Sequence, residues 1–99
     1  MSTRSIYKFT IKPGERKTID LPVDAGFLHT AWQHDTCAIW FLVDPMASVR
    51  YAYTFEVFGT GWEINIPNNH PLSYLGTCLA DDGDHVWHVF EHSSRKPCL

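Results

Sequence analysis

Cys37-Ala38-Ile39-Trp40-Phe41-Leu42-Val43 is an unbroken apolar run of strand length, preceded by the polar break His34-Asp35-Thr36 and stopped by Asp44-Pro45. A run of this length between turn signals predicts a central β-strand covered on both faces, the heart of the core. Upstream, Ser5 to Ile11 sets Tyr7, Phe9 and Ile11 against Ile6, Lys8 and Thr10, the period of two of a half-buried strand. Lys12-Pro13-Gly14-Glu15 supplies turn chemistry, and Arg16 to Leu21 resumes the alternation, so these two strands are expected to pair as a hairpin. After a second turn at Pro22 to Gly26, Phe27 to Gln33 reads as a third strand. Downstream, Val49 to Phe58 alternates Tyr51, Tyr53 and Phe55 with Arg50, Ala52, Thr54 and Glu56, and Gly59-Thr60-Gly61 ends it. Trp62 to Pro71 mixes a short strand with the proline-bounded loop Pro67-Asn68-Asn69-His70-Pro71. Leu72 to Leu79 and Asp84 to Glu91 are two further strands joined by Ala80-Asp81-Asp82-Gly83.

No window carries the i, i+3, i+4, i+7 pattern of an amphipathic helix. The expected fold is all-β, a single antiparallel sandwich or small barrel of about seven to eight short strands. At 99 residues one domain spanning 1–99 is the expectation, with an ordered core over about 5–91 and a loose tail over 92–99.

Composition narrows the partners. Hydrophobic residues make up 44% and charged residues 19%, a globular balance, and a formal charge of −3 leaves no broad cationic face for duplex nucleic acid. The longest apolar run falls far short of the roughly 20 residues that cross a bilayer as a helix. No apolar leader follows Met1-Ser2-Thr3-Arg4, and Cys37, Cys78 and Cys98 form no CxxC pair, so the expected setting is a reducing cytoplasm, without disulfide or zinc framework.

Six histidines raise the question of a metal. His85, His88 and His92 would share a face of a helix, but in a strand His85 and His88 point to opposite faces, which favours structural roles and no metal or other cofactor. No nucleophile elbow, phosphate loop or zinc-protease motif is present, so a non-enzymatic protein is expected. Trp40 and Trp87 lie inside strand patterns and read as core, whereas Trp62 follows two glycines at a loop edge. Binding sites favour loops on rigid scaffolds and hot spots favour aromatics, which makes Trp62 with Asn68, Asn69 and His70 the candidate patch, joined by Tyr74 as a second stacking ring. The alternative for Trp62 is a plug at the end of the core. Asp81, Asp82 and Asp84 form an acidic tip, either a solvated turn or a contact for a basic surface.

Ile6-Tyr7-Lys8-Phe9, Thr18-Ile19-Asp20-Leu21-Pro22, Ile39-Trp40-Phe41-Leu42-Val43-Asp44, Phe58-Gly59-Thr60-Gly61, Tyr74-Leu75-Gly76-Thr77 and Val86-Trp87-His88-Val89-Phe90-Glu91, taken in order, resemble a family of small uncharacterised proteins encoded by bacteriophages and prophages. The resemblance brings no catalytic residues with it. It implies a phage accessory protein in the cytoplasm of a bacterial host, acting by binding a host protein, with inhibition of a host defence complex as the favoured role. Two other readings stand beside it: a binder that sequesters a nucleotide signal in a pocket, with Trp62, His70 or Tyr74 stacking on the base, and a virion or assembly component that self-associates as a homo-oligomer.

Overall fold

The computed structural model describes residues 3–66 and 71–98. It has seven antiparallel strands: β1 (Ser5–Ile11), β2 (Arg16–Pro22), β3 (Gly26–Gln33), β4 (Thr36–Val43), β5 (Arg50–Gly59), β6 (Leu72–Leu79) and β7 (Val86–Pro97). They form a three-stranded sheet, β1-β4-β3, and a four-stranded sheet, β2-β5-β7-β6. Along one side β3 and β6 pack together without joining one ladder. The arrangement is therefore a sandwich, and no barrel closes.

The apolar run is the middle strand of the smaller sheet, with β1 pairing Ile11 to Cys37 through Ser5 to Val43 on one side and β3 on the other. Cys37, Ile39, Phe41 and Val43 point into the core, where Tyr53, Phe55 and Val57 of β5 and Val89 of β7 meet them. Phe41 sits 5.6 Å from Phe55 and 6.4 Å from Tyr53, ring centroid to centroid. Burying each such side chain contributes about 1.5–3 kcal/mol. The other face of β4 is not covered as expected: Leu42 is exposed and Trp40 half-buried, with His29 stacked on it at 5.9 Å.

Two further expectations are corrected. β1 and β2 do not pair as a hairpin, because the turn between them is tied across the sandwich: Gly14, at φ +78°, donates its N–H to the Val57 carbonyl at 3.0 Å, and Val57 donates back to Glu15 at 3.3 Å. β2 thereby aligns along β5, from Arg16 opposite Glu56 to Pro22 opposite Arg50. Each strand thus delivers its apolar face to the core from a different sheet. The segment beyond His92 is no loose tail. β7 bulges between its pairings to Ala52 and Thr54 and then continues, with Lys96 opposite Ala52 and Pro97 opposite Tyr51. Apolarity fades there, but the backbone ladder against β5 persists. The described part of the Trp62 to Pro71 stretch holds no strand.

Candidate functional site

Two regions of the larger sheet gather exposed aromatic or charged side chains. The first is a corner at the end of the sandwich. Gly59 to Trp62 is a tight turn, with the Trp62 N–H on the Gly59 carbonyl at 3.1 Å and Gly61 at φ +85°, a conformation that glycine adopts without strain. The turn lays the Trp62 indole over backbone that has no side chain: a Cβ on Gly59 would stand 2.6 Å from Trp62 Nε1, and one on Gly14 would stand 3.5 Å from the ring. Trp87 meets Trp62 edge to face at 5.4 Å, and the His85 ring lies parallel to Trp87 at 5.9 Å. Trp62 nevertheless keeps 49% of its surface exposed. It packs against the end of the core and leaves about half of its surface open at once.

A cleft of about 240 Å³ opens between these rings, with Thr60 and Asp84 at its rim. The neighbouring acidic turn is ordered by its own side chains. Asp82 accepts the N–H groups of Asp84 at 2.9 Å and His85 at 3.1 Å and takes the His85 ring at 2.6 Å. The His85 ring, then these backbone donors, hold the Asp82 carboxyl down at about 2, and the same carboxylate raises His85 above its ordinary value.

Tyr74 does not join the Trp62 corner. It stands on β6, 58% exposed, edge-on to Phe90 at 5.5 Å, at one end of a polar chain in which its hydroxyl meets Thr77, Thr77 meets His88 Nδ1 at 3.1 Å, and His88 Nε2 meets Thr60 at 2.7 Å. Asn68, Asn69 and His70 lie outside the described residues.

The second region runs along the outer face of the larger sheet and was not legible in the sequence. Alternate β5 residues, Ala52, Thr54, Glu56 and Phe58, form its floor, with β2 on one flank and β7 on the other. His92 is only 8% exposed and bridges the strands: its Nε2 lies 2.8 Å from Glu56 Oε1 and its Nδ1 3.5 Å from the Arg16 guanidinium. The Arg16 guanidinium thus approaches one ring nitrogen and the Glu56 carboxylate the other. The triad lines a cleft of about 360 Å³ whose apolar walls are Phe58, Ile64, Ile66 and Leu72. Beyond Arg16 the groove continues as a hollow of about 280 Å³ bounded by Thr18, Ala52, Thr54, Ser94 and Lys96. The signal for Arg16, Glu56 and His92 lay only in strand pairing, since three distant segments supply one residue each.

The buried cysteines face each other across the sheets. Thr30 gives its one hydroxyl proton to the Ala38 carbonyl at 2.7 Å, so the Cys78 thiol, 3.2 Å away, is the donor to Thr30 Oγ1. Cys37 in turn hydrogen-bonds Cys78, which together with burial pushes its thiol well up. Among the described residues no group of three or more His, Cys, Asp or Glu side chains is placed to hold a metal ion.

No curated protein and no solved structure matches this chain. One family model does, over residues 2–98, and it spans all seven strands and both regions just described. The chain belongs to the family described as a domain of unknown function, DUF7352.

Proposed function

We propose that this is a non-enzymatic binding protein, a bacteriophage accessory factor that engages a protein of its bacterial host through the Trp62 corner and blocks it, with a host defence complex as the target class. The phage setting rests on the ordered strand motifs from Ile6 to Glu91. The observation that carries the binding role is the state of Trp62, half exposed yet fixed between Gly14, Gly59 and Trp87. A large aromatic ring already held in place loses little freedom on association, and such rings dominate interface energetics. The acidic turn at Asp81, Asp82 and Asp84 borders it and suits a basic partner surface, where opposite charge raises the rate of encounter.

The test is affinity purification of the tagged full chain from host lysate, beside Trp62→Ala. The expected result is a stoichiometric host protein recovered by the native chain and lost with the variant, which keeps its cooperative melting transition. Recovery of the same protein by both chains would remove Trp62 from the interface, and a chain that returns only copies of itself would favour an assembly role.

A further inference from the structure

Arg16 stands apart from the other arginines. Arg4 pairs with Asp44, Arg50 with Asp20 and Arg95 with Glu91, while among the described residues Arg16 has no carboxylate within ion-pair reach and is directed at His92. Lys96, across the same hollow, likewise has no ion pair among the described residues. An arginine turned onto an imidazole keeps most of its five N–H donors for something else. Both cations flank a floor of hydroxyls: Thr18 and Thr54 are 2.9 Å apart, and since one donates to the other, one hydroxyl proton remains for an outside acceptor. Among the described residues no Asp or Glu lines this hollow. Two cations and a hydroxyl donor around about 280 Å³ suit a group with several anionic oxygens.

The adjoining cleft has the opposite character. Phe58, Leu72, Ile64 and Ile66 give apolar walls, and Glu56 and Glu63 supply carboxylates that accept N–H donors. Such a cleft suits a flat ring with N–H groups on one edge. Arg16 belongs to both hollows, so the two are consecutive parts of one groove. From Thr54 to Phe58 the β5 floor covers about 13 Å at roughly 3.3 Å per residue, the scale of one nucleotide.

We propose that this groove is a binding site for a purine nucleoside monophosphate, with phosphate between Arg16 and Lys96 and base between Phe58, Leu72 and the Ile64 to Ile66 wall. Guanine is the preferred base, because its adjacent N1–H and N2–H₂ donors match a carboxylate. The site goes beyond the Trp62 corner and uses none of its rings, so the two stand or fall separately.

The experiment is an amide and side-chain NMR titration of the full chain with guanosine 5′-monophosphate, inorganic phosphate and guanosine. The nucleotide is expected to shift Thr18, Thr54 and Lys96 together with Phe58, Ile64 and Leu72, and inorganic phosphate only the first group. Removing one charge-assisted contact weakens binding about tenfold or more, so both Arg16→Gln and Lys96→Gln should raise the nucleotide Kd by that factor. Lys96→Gln breaks no ion pair among the described residues and is expected to melt with the native chain, which guards against a fold defect in the Arg16 variant. No shift in the groove at millimolar nucleotide, the same affinity in Lys96→Gln as in the native chain, or equal affinity for inorganic phosphate and the nucleotide would each overturn the assignment.

Discussion

Gly76 of β6 and Thr30 of β3 lie so close that a Cβ on the glycine would stand 2.5 Å from Thr30 Cγ2. This is where the edges of the two sheets meet, and both strands bulge nearby, β3 between Phe27 and His29 and β6 between Tyr74 and Gly76. Thr30 is buried and held by Ala38 and Cys78, so it cannot swing aside without breaking both bonds. Gly76→Ala is therefore expected to destabilise the fold by about 1–3 kcal/mol. Thr30→Ser removes the clashing methyl and keeps the hydroxyl, so Gly76→Ala should cost much less in that background. Equal costs in both backgrounds, read by urea denaturation, would show that the contact does not limit the seam.

The thiols divide sharply by access. Cys37 and Cys78 are buried between the sheets, and Cys98 is exposed. Thiolate is the reactive form. The Cys37 hydrogen bond and then that of Thr30 bring Cys78 down to about 7 against its burial, while Cys37 is raised. The two are therefore protected from a reagent by lack of access rather than by a shared neutral state. An aromatic disulfide reagent at pH 8 should titrate one thiol per native chain and all three in guanidinium. Desolvation and then the Asp20 charge raise Cys98 above its ordinary value, so even that thiol should react more slowly than free cysteine. Three fast equivalents in the native state would mean that the seam between the sheets opens readily.

Local pattern made the strands readable and left their partners hidden. Alternation in Tyr7-Lys8-Phe9 and in Tyr51-Ala52-Tyr53 marks faces, because side chains two residues apart share one. Nothing in it says whether Arg16 will lie opposite a residue of β1 or, as found, opposite Glu56. For the same reason Trp62 could be picked out from two glycines and a loop, whereas the Arg16, Glu56 and His92 triad could not. Its members come from three strands, and only the β5–β7 register, which sets His92 opposite Thr54, brings them together. The end of β7 was missed because Ser93, Ser94 and Lys96 are polar, yet an outer strand segment needs only its backbone ladder to stay in the sheet.

The Asp82 and His85 pair should make the acidic turn sensitive to pH within a definable window. His85 is raised, so its contribution is fully present below about 6.5 and fades as pH rises through the folded value. Asp82 is lowered to about 2, so its contribution is present above the ordinary carboxylate range of about 4 and fades as pH falls through the folded value. The turn should be best ordered between about pH 4 and 6.5. Both side chains are open to solvent, so the effect is local and screened by salt. NMR titration should place the His85 midpoint above 6.5, and Asp82→Asn should return it to the ordinary value. An unchanged midpoint in that variant would exclude the carboxylate as the cause.

Arg95 gives the sharpest test of how β7 ends. Its guanidinium grips Glu91 through two hydrogen bonds, at 2.7 and 3.0 Å, and lies 4.2 Å above the ring centre of Tyr53, itself buried in the core. Glu91 is only 5% exposed, and among the described residues Arg95 is the cation paired with it. Arg95→Ala removes the fork and the contact with the ring together and leaves a carboxylate buried alone. The guanidinium is partly open to water, which softens the loss, and a cost of about 2–4 kcal/mol is expected. For a chain of this size that lowers Tm by on the order of 10–20 °C. Arg95→Lys keeps the charge without the planar fork and should fall between the two. Replacing both partners, Glu91→Met with Arg95→Ala, removes the orphaned charge and should recover much of the stability. If Arg95→Ala melts with the native chain, the strand beyond His92 is held by its backbone ladder alone, and the ion pair merely decorates it.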